Sequence, residues 1–355
     1  MSWKIGKLHY LNLGICMRRK VFFRADGNKN IGIGHVVRSL ALVEILKDKF
    51  DCHFISINPS NDVKDLILNS CTNLHILNYN FIEKLEAHYL IDIYISQNDI
   101  VVLDGYHFKT NYQEILKNHG CKIICIDDIY NYHFVSDIVI NHAPDTNRDR
   151  YSVSKNTELL LGLNYALLRK PFLKNLKAKN ENQRNEHEVF VNFGGVDKHN
   201  LTLKIMNWLL IDDHFQTLNI VLGVENAFEK EFEMLKTQKA KHRVINIFKS
   251  INASKLVSLF KRSSLAIVPA STIAIECIAT RTPMLTGYYV ENQIDVYHEL
   301  LNLDSSINGL GNFVTLNKSK FSKKIVEIVS GDKRNMDIII DNDIENFYLE
   351  KLSKL

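Results

Sequence analysis

The stretch VFFRADGNKNIGIGHVVRSLALVEIL, residues 21–46, decides how the rest of the chain is read. An apolar run suited to a strand enters a loop broken by Gly27, Gly32 and Gly34, and His35 then opens an amphipathic helix. The glycines let the backbone turn tightly and approach a ligand, and a helix start offers unpaired N–H groups and positive potential to an anion. The segment reads either as an anion site with a candidate base beside it or as a plain strand-to-helix turn. IGIGH has neither the G-x-G-x-x-G spacing of a dinucleotide fingerprint nor the Gly-Lys-Ser/Thr of a P-loop.

Outward from this segment, the 355-residue chain exceeds what one hydrophobic core usually supports, so two domains of about 150–180 residues are expected. Its 44 basic and 40 acidic residues give a formal net charge of +4, which is no electrostatic reason to expect nucleic acid or a membrane surface as partner. Small anionic ligands stay open. The six cysteines (Cys16, Cys52, Cys71, Cys121, Cys125, Cys277) form no C-x-x-C pair and no Cys/His set with zinc spacing. They are expected to be buried, reduced thiols of a cytoplasmic protein, with Cys121 and Cys125 on one face of a strand. No run approaches the ~18–20 apolar residues that span a bilayer, so no integral membrane segment is expected. Residues 1–17, MSWKIGKLHYLNLGICM, read as a leader or a misassigned start, with Met17 the alternative start.

Apolar β-rich runs alternate with helical patterns, the signature of βαβ units and parallel sheets. The spacing predicts strands at 21–25, 52–57, 74–77, 100–104, 122–127 and 137–141, and helices at 35–49, 81–95 and 111–119. Residues 171–188, charged and Asn-rich, read as a linker between an N-terminal domain (18–170) and a C-terminal one (189–332). In the second domain strands are expected at 189–193, 218–222, 244–247, 265–268 and 284–286, and helices at 199–210, 227–235, 253–260, 272–279 and 292–301. Residues 333–355 form a helical tail that returns to the first domain. Two such α/β domains imply a ligand cleft outside the carboxyl ends of both sheets.

Several segments then carry chemistry. His35 stands where the helix dipole opposes a positive ring, which favours a neutral imidazole able to deprotonate water; the alternative is a histidine that only hydrogen-bonds the turn. LDGYH places Asp104, Tyr106 and His107 at the carboxyl end of a strand, with Asp104 alternatively capping the next segment. IDDIY brings Asp127 and Asp128 to the same edge, as catalytic or metal-binding carboxylates or as capping and orienting groups. NFGGVD, residues 192–197, is a second phosphate- or sugar-binding turn, or a plain tight turn. In VPASTIAIECIATRTPML, residues 268–285, Ser271 and Thr272 start a helix and suit a pyrophosphate. Glu276, one turn in, suits ribose hydroxyls or is a solvated surface group. Asn292 and Gln293 open the next helix.

In this order over roughly residues 20–300, FRADGNKNIGIGHVVRSLAL, LDGYH, IDD, NFGGVD and PASTIAIECIATRTPML followed by ENQ resemble the UDP-2,4-diacetamido-2,4,6-trideoxy-β-L-altropyranose hydrolases of pseudaminic acid biosynthesis, which build bacterial surface glycans. The resemblance implies an α/β, GT-B-like fold: two Rossmann-type domains with parallel sheets facing across a cleft, related to the glycosyltransferase that makes lipid II. It implies a UDP-sugar substrate with UDP against the second domain and the sugar pointing into the first, and neither cofactor nor metal. Carried over, His35 activates water at the anomeric carbon and Tyr106 lies near the sugar or that water. Arg24, Asp26, Gly32, Gly34, Asp104, Gly194, Gly195, Ser271, Thr272, Asn292 and Gln293 fall on the substrate, and Glu276 on the uridine ribose. Ala270 and Ala274 depart from the Ser or Asn expected in some relatives. A GT-B glycosyltransferase and a non-catalytic UDP-sugar-binding module are the competing readings; turnover without an acceptor, and the need for His35, separate them.

Overall fold

The computed structural model describes residues 18–28, 31–71, 73–78, 83–145, 147–178, 184–223, 229–239, 243–331 and 336–355. The expected leader, with Cys16 and Met17, lies outside the described residues.

In the first half the strands are β1 (Lys20–Ala25), β2 (Asp51–Ile57), β3 (Asn73–Leu77), β4 (Ile100–Asp104), β5 (Lys122–Ile126), β6 (His133–Phe134), β7 (Ile138–Asn141), β8 (Ser152–Val153) and β9 (Glu158–Leu161). Seven of them form one sheet in the order β3-β2-β1-β4-β5-β7-β9, and β6 pairs with β8. The second half has β10 (Asn185–Val191), β11 (Thr217–Leu222), β12 (Val244–Lys249), β13 (Ser263–Pro269), β14 (Met284–Tyr288) and β15 (Ile307–Asn312), in the order β12-β11-β10-β13-β14-β15. The ladders of both large sheets are parallel. Parallel strands covered by helices on both faces read as continuous apolar runs, and β4 (IVVLD) and β13 (SSLAIVP) do so, with β4 wholly buried.

Each sheet reverses its strand order once, between β1 and β4 and between β10 and β13. Ligands of open α/β sheets bind outside the carboxyl ends of the strands at such a switch point. In the first domain that point is flanked by the loop after β1 and by Asp104–Tyr106, and in the second by NFGGVD and Ser271.

Three departures from the sequence reading have physical causes. The stretch taken as a linker is largely ordered structure: Lys170–Lys177 is a helix, β10 begins at Asn185, and only residues 179–183 lie outside the described residues. Phe172 and Leu173 are buried and Leu176 packs on the same core, an apolar stripe hidden among lysines and asparagines. This helix packs against Ala253–Arg262 and Thr272–Ala279 of the second half. The helix Asn61–Leu68, absent from the sequence reading, starts with a Ser60 side-chain cap and buries Val63 and Ile67, an i,i+4 pair on one face. The edge strands β9 and β15 were also absent; β9 has only four residues, and β15 contains glycines that mask its period.

The helix Ile344–Ser353 packs against Gly34–Leu46 in the first domain. Ile344, Tyr348 and Leu352 are buried on that side, and the Tyr348 hydroxyl donates to the Tyr165 carbonyl at 2.7 Å. No helix among the described residues is long and apolar enough to cross a membrane.

Candidate active site

One cavity of about 670 Å³ lies between the carboxyl ends of the two sheets, within the range of small-molecule sites. Its first-domain wall is formed by Gly32, Gly34, His35, Arg38, Tyr106 and Asp128, its opposite wall by Gly194, Gly195, Ser271, Thr272, Glu276 and Gln293. The two glycine turns come into contact: a Cβ on Gly195 would lie 2.6 Å from Ile33 Cγ1, so only glycine admits this approach. Gly32 at φ +88° and Gly194 at φ +81° adopt the left-handed backbone that glycine tolerates.

Two helices open onto the cavity with no side-chain cap. Gly34–Leu46 begins after Ile33, which offers none, and Thr272–Ala279 begins after Ser271, whose hydroxyl does not bond the helix. Their first N–H groups and their dipoles face a shared space, the arrangement that takes an anion.

His35 is the best-defined group on the first wall. Its Nδ1 lies 2.7 Å from Asp104 Oδ1, and its ring meets Tyr106 edge-on at 4.9 Å between centroids. Asp104 is buried behind it, off the cavity, and also accepts from Arg38 Nε, Arg38 Nη2 and Ser39 Oγ. Burial alone would raise this carboxyl, but the Arg38 guanidinium and then His35 outweigh it and hold it at about 2. Such a carboxylate carries no proton at neutral pH, so the 2.7 Å contact takes its hydrogen from Nδ1–H. In the neutral form of the ring that tautomer leaves the lone pair on Nε2. Asp104 therefore neither caps a segment nor faces a ligand; it orients His35.

The neighbouring acidic pair diverges. Asp127 Oδ2 accepts from the Ile129 and Tyr130 amides, pinning the turn after β5, and burial with the Asp128 charge pushes its carboxyl up to about 7. Asp128 reaches the cavity and accepts from Arg38 Nη1 at 2.9 Å; burial opposes its ionisation, yet Arg38 and His35 keep it below the usual carboxylate range. Burial and this carboxylate push the Tyr106 phenol well up, so it stays a neutral hydroxyl, and it accepts from Asn292 Nδ2 at 2.7 Å across the cleft. His142, also lining the cavity, is buried with Nδ1 unpartnered; burial and then Arg38 push it down to about 4.

On the second wall, Asn192 Oδ1 accepts from the Gly194 amide, fixing the glycine turn, and Asp197 accepts from the Leu201 and Thr202 amides at the next helix start. Glu276 is buried, which rules out the solvated-surface alternative. Both its oxygens receive Arg169, Nε at 2.6 Å and Nη2 at 2.7 Å, a two-pronged pairing that fixes the carboxylate rigidly. Asn292 and Gln293 both line the cavity, and Gln293 Oε1 accepts from the Tyr289 amide.

Arg24 and Asp26 are not brought to the cavity. Arg24 is fully buried, donating to Glu86 at 2.7 Å and to Asp26 at 2.6 Å, and Asp26 also accepts from the Ile57 amide. They tie β1 to its surroundings beneath the glycine loop. Sequence reasoning missed Arg38, Arg169 and His142. Arg38 was findable, because three residues after His35 puts it on the same helix face; the other two carry no local signal. Among the described residues no group of three or more His, Cys, Asp or Glu is placed to hold a metal ion.

No family model matches the chain. Over 280 residues it is 25% identical to the UDP-2,4-diacetamido-2,4,6-trideoxy-β-L-altropyranose hydrolase of Campylobacter jejuni, covering 77% of this chain and 93% of that protein. An uncharacterised protein of Methanocaldococcus jannaschii is 26% identical over 291 residues, covering 79% of this chain, which spans 58% of that protein's length. Among solved structures, MurG of Acinetobacter baumannii superposes with a TM-score of 0.63 at 10% identity, covering 95% of this chain and 100% of that one. The UDP-GlcNAc 2-epimerase of M. jannaschii, solved with UDP-GlcNAc and UDP, superposes with a TM-score of 0.62 at 14% identity, covering 95% and 100%. The resemblance carried by the motifs is thus matched by similarity to that hydrolase over most of the chain, and the architecture is GT-B-like, two Rossmann-type domains facing each other across a cleft.

Proposed function

We propose that the protein is a UDP-sugar-acting enzyme that hydrolyses a UDP-linked 2,4-diacetamido-2,4,6-trideoxyhexose at the anomeric C–O bond, releasing UDP and the free sugar. The observation that carries this reading is His35, held by Asp104 at 2.7 Å, on one wall of a cavity onto which two uncapped helix starts open. A base beside an anion site is what hydrolysis of a sugar diphosphate needs. The name of the C. jejuni relative supplies the sugar.

In this reading UDP lies on the second domain, its diphosphate at the Gly194–Gly195 turn and the start of Thr272–Ala279, its ribose at Glu276 held by Arg169. The sugar points towards Tyr106 and His35. Nε2 of His35 takes a proton from water as the oxygen attacks the anomeric carbon. The C–O bond to UDP breaks on the opposite face and its electron pair leaves on the β-phosphate, where backbone N–H groups spread the charge. Asp104 stabilises the imidazolium until its proton returns to solvent, as the carboxylate does in hydrolytic triads. The five described cysteines, buried and unpaired, fit a reducing cytoplasm.

The test is turnover of the UDP-sugar without acceptor in heavy-oxygen water. Label is expected in the free sugar. Label in UDP would reject attack at carbon, and turnover only after an acceptor is added would replace hydrolysis by glycosyl transfer.

A further inference from the structure

Arg38 lies one helical turn after His35, is almost wholly buried, and its guanidinium is spent on carboxylates. Nε donates to Asp104 at 2.8 Å, Nη2 to Asp104 at 2.7 Å and Nη1 to Asp128 at 2.9 Å. Although it lines the cavity, three of its five N–H donors go to these carboxylates. Nη2 also stands 3.1 Å from His35 Nδ1. A protonated Nδ1 donates to Asp104, so this second contact is a cation set against the edge of the ring and not a hydrogen bond to it.

We propose that Arg38 is the positioning residue of the His35–Asp104 pair: its fork fixes Asp104 in the one orientation that pins the Nδ1 proton, and its charge balances the carboxylates around the ring so that the ring need not become their counter-ion. The inference rests on the reading of His35 as the base. Around the ring stand Asp104 at the end of β4, Tyr106 in the following loop, Asp128 after β5 and Arg38 on the ring's own helix, and His142 after β7 lines the same cavity. Two are carboxylates held ionised, one is a fixed cation, and Tyr106 and His142 are neutral. Without Arg38, the negative charges of Asp104 and Asp128 face His35 and no fixed positive one does. The ring is then drawn into the imidazolium form, which has no lone pair with which to accept a proton.

Two measurements on the full chain test this: the pH profile of kcat/KM, and the ¹⁵N resonances of the ring, assigned by their loss in His35→Asn. At pH 8 the parent should show the Nδ1–H tautomer. Arg38→Met should move the acidic limb of kcat/KM and the ring's titration midpoint upward together by about 1–2 pH units, the effect of one nearby charge. Arg38→Lys should fall between parent and Arg38→Met. Arg38→Met combined with Asp128→Asn should bring the limb back towards the parent, a recovery that a purely structural role does not give. Should Arg38→Met not fold, Asp128→Asn alone carries the test, with the limb expected to move down. An Nε2–H tautomer in the parent, or a limb unmoved in Arg38→Met or in Asp128→Asn, overturns the proposal. Retained turnover in His35→Asn would instead remove the base reading, while the ring resonances still report what Arg38 does.

Discussion

At His35 two influences meet on one ring. The ring stands in the first turn of a helix, and a buried carboxylate at 2.7 Å fixes where its hydrogen sits. His35→Asn keeps the size and some hydrogen bonding but removes the base, so kcat should fall by ~10²–10⁴-fold. UDP affinity by calorimetry should stay within a few-fold, since UDP is assigned to the other wall. Asp127 gives a separate prediction. Its carboxyl, pushed up to about 7 by burial and by Asp128, keeps its proton in the folded chain over a range where the unfolded chain, with an ordinary value near 3.8, has lost it. Stability is therefore lost as pH rises from about 4 to about 7, and the loss is constant above that. One oxygen accepts both backbone amides, a role an amide carbonyl can fill. Asp127→Asn should raise the denaturation free energy by about 4 kcal/mol at pH 8 and by little at pH 4. An increment that does not grow with pH refutes the buried-acid assignment. His35, Tyr106 and the glycines were legible at this scale because special residue types announce themselves. Arg169 was not: it lies 107 positions from Glu276, and only the fold makes the pair.

The sequence placed the start of Thr272–Ala279 at Ser271, as the structure does. A serine at that position normally bonds the helix backbone, and losing such a cap costs about 1 kcal/mol. Here the hydroxyl makes no such bond. Ser271→Ala should therefore leave thermal stability nearly unchanged while weakening UDP binding, and a stability loss near 1 kcal/mol would show that the serine is a cap after all. Glu276→Ala on the same helix should weaken UDP binding by ~1–3 kcal/mol through lost charge-assisted hydrogen bonds, with Arg169 left unpaired as part of that cost. Unchanged affinity in calorimetry would take Glu276 out of the site. The helix Lys170–Lys177 shows why element boundaries fail where they do. Its apolar stripe is only Phe172, Leu173 and Leu176, too few to stand out from the charged run around it until the neighbouring helices are present.

For the molecule as a whole, alternation of strands and helices was enough to read two parallel α/β halves, because that pattern is set by local periodicity. Which ends of the sheets meet, and that Ile33 lies against Gly195, follow from long-range packing that no window of sequence contains. The same holds for Ile344–Ser353, whose helical character was visible and whose seat beside Gly34–Leu46 came from the structure. Tyr348 is buried at the centre of that contact. Tyr348→Ala should cost about 3–5 kcal/mol in chemical denaturation, the usual range for deleting a buried aromatic ring. A loss below 1 kcal/mol would mean that the helix contributes little to the first domain.

That returning helix also orders events in time. The helix that carries His35 is made early, but the helix that covers it comes last among the described residues, after every strand of the second domain. During synthesis the first domain must therefore wait with an apolar flank open while the second emerges and folds, and it closes only when residues 344–353 arrive. A nascent chain stalled before that point should stay sensitive to protease in its first half and bind chaperones there, whereas the finished chain should not.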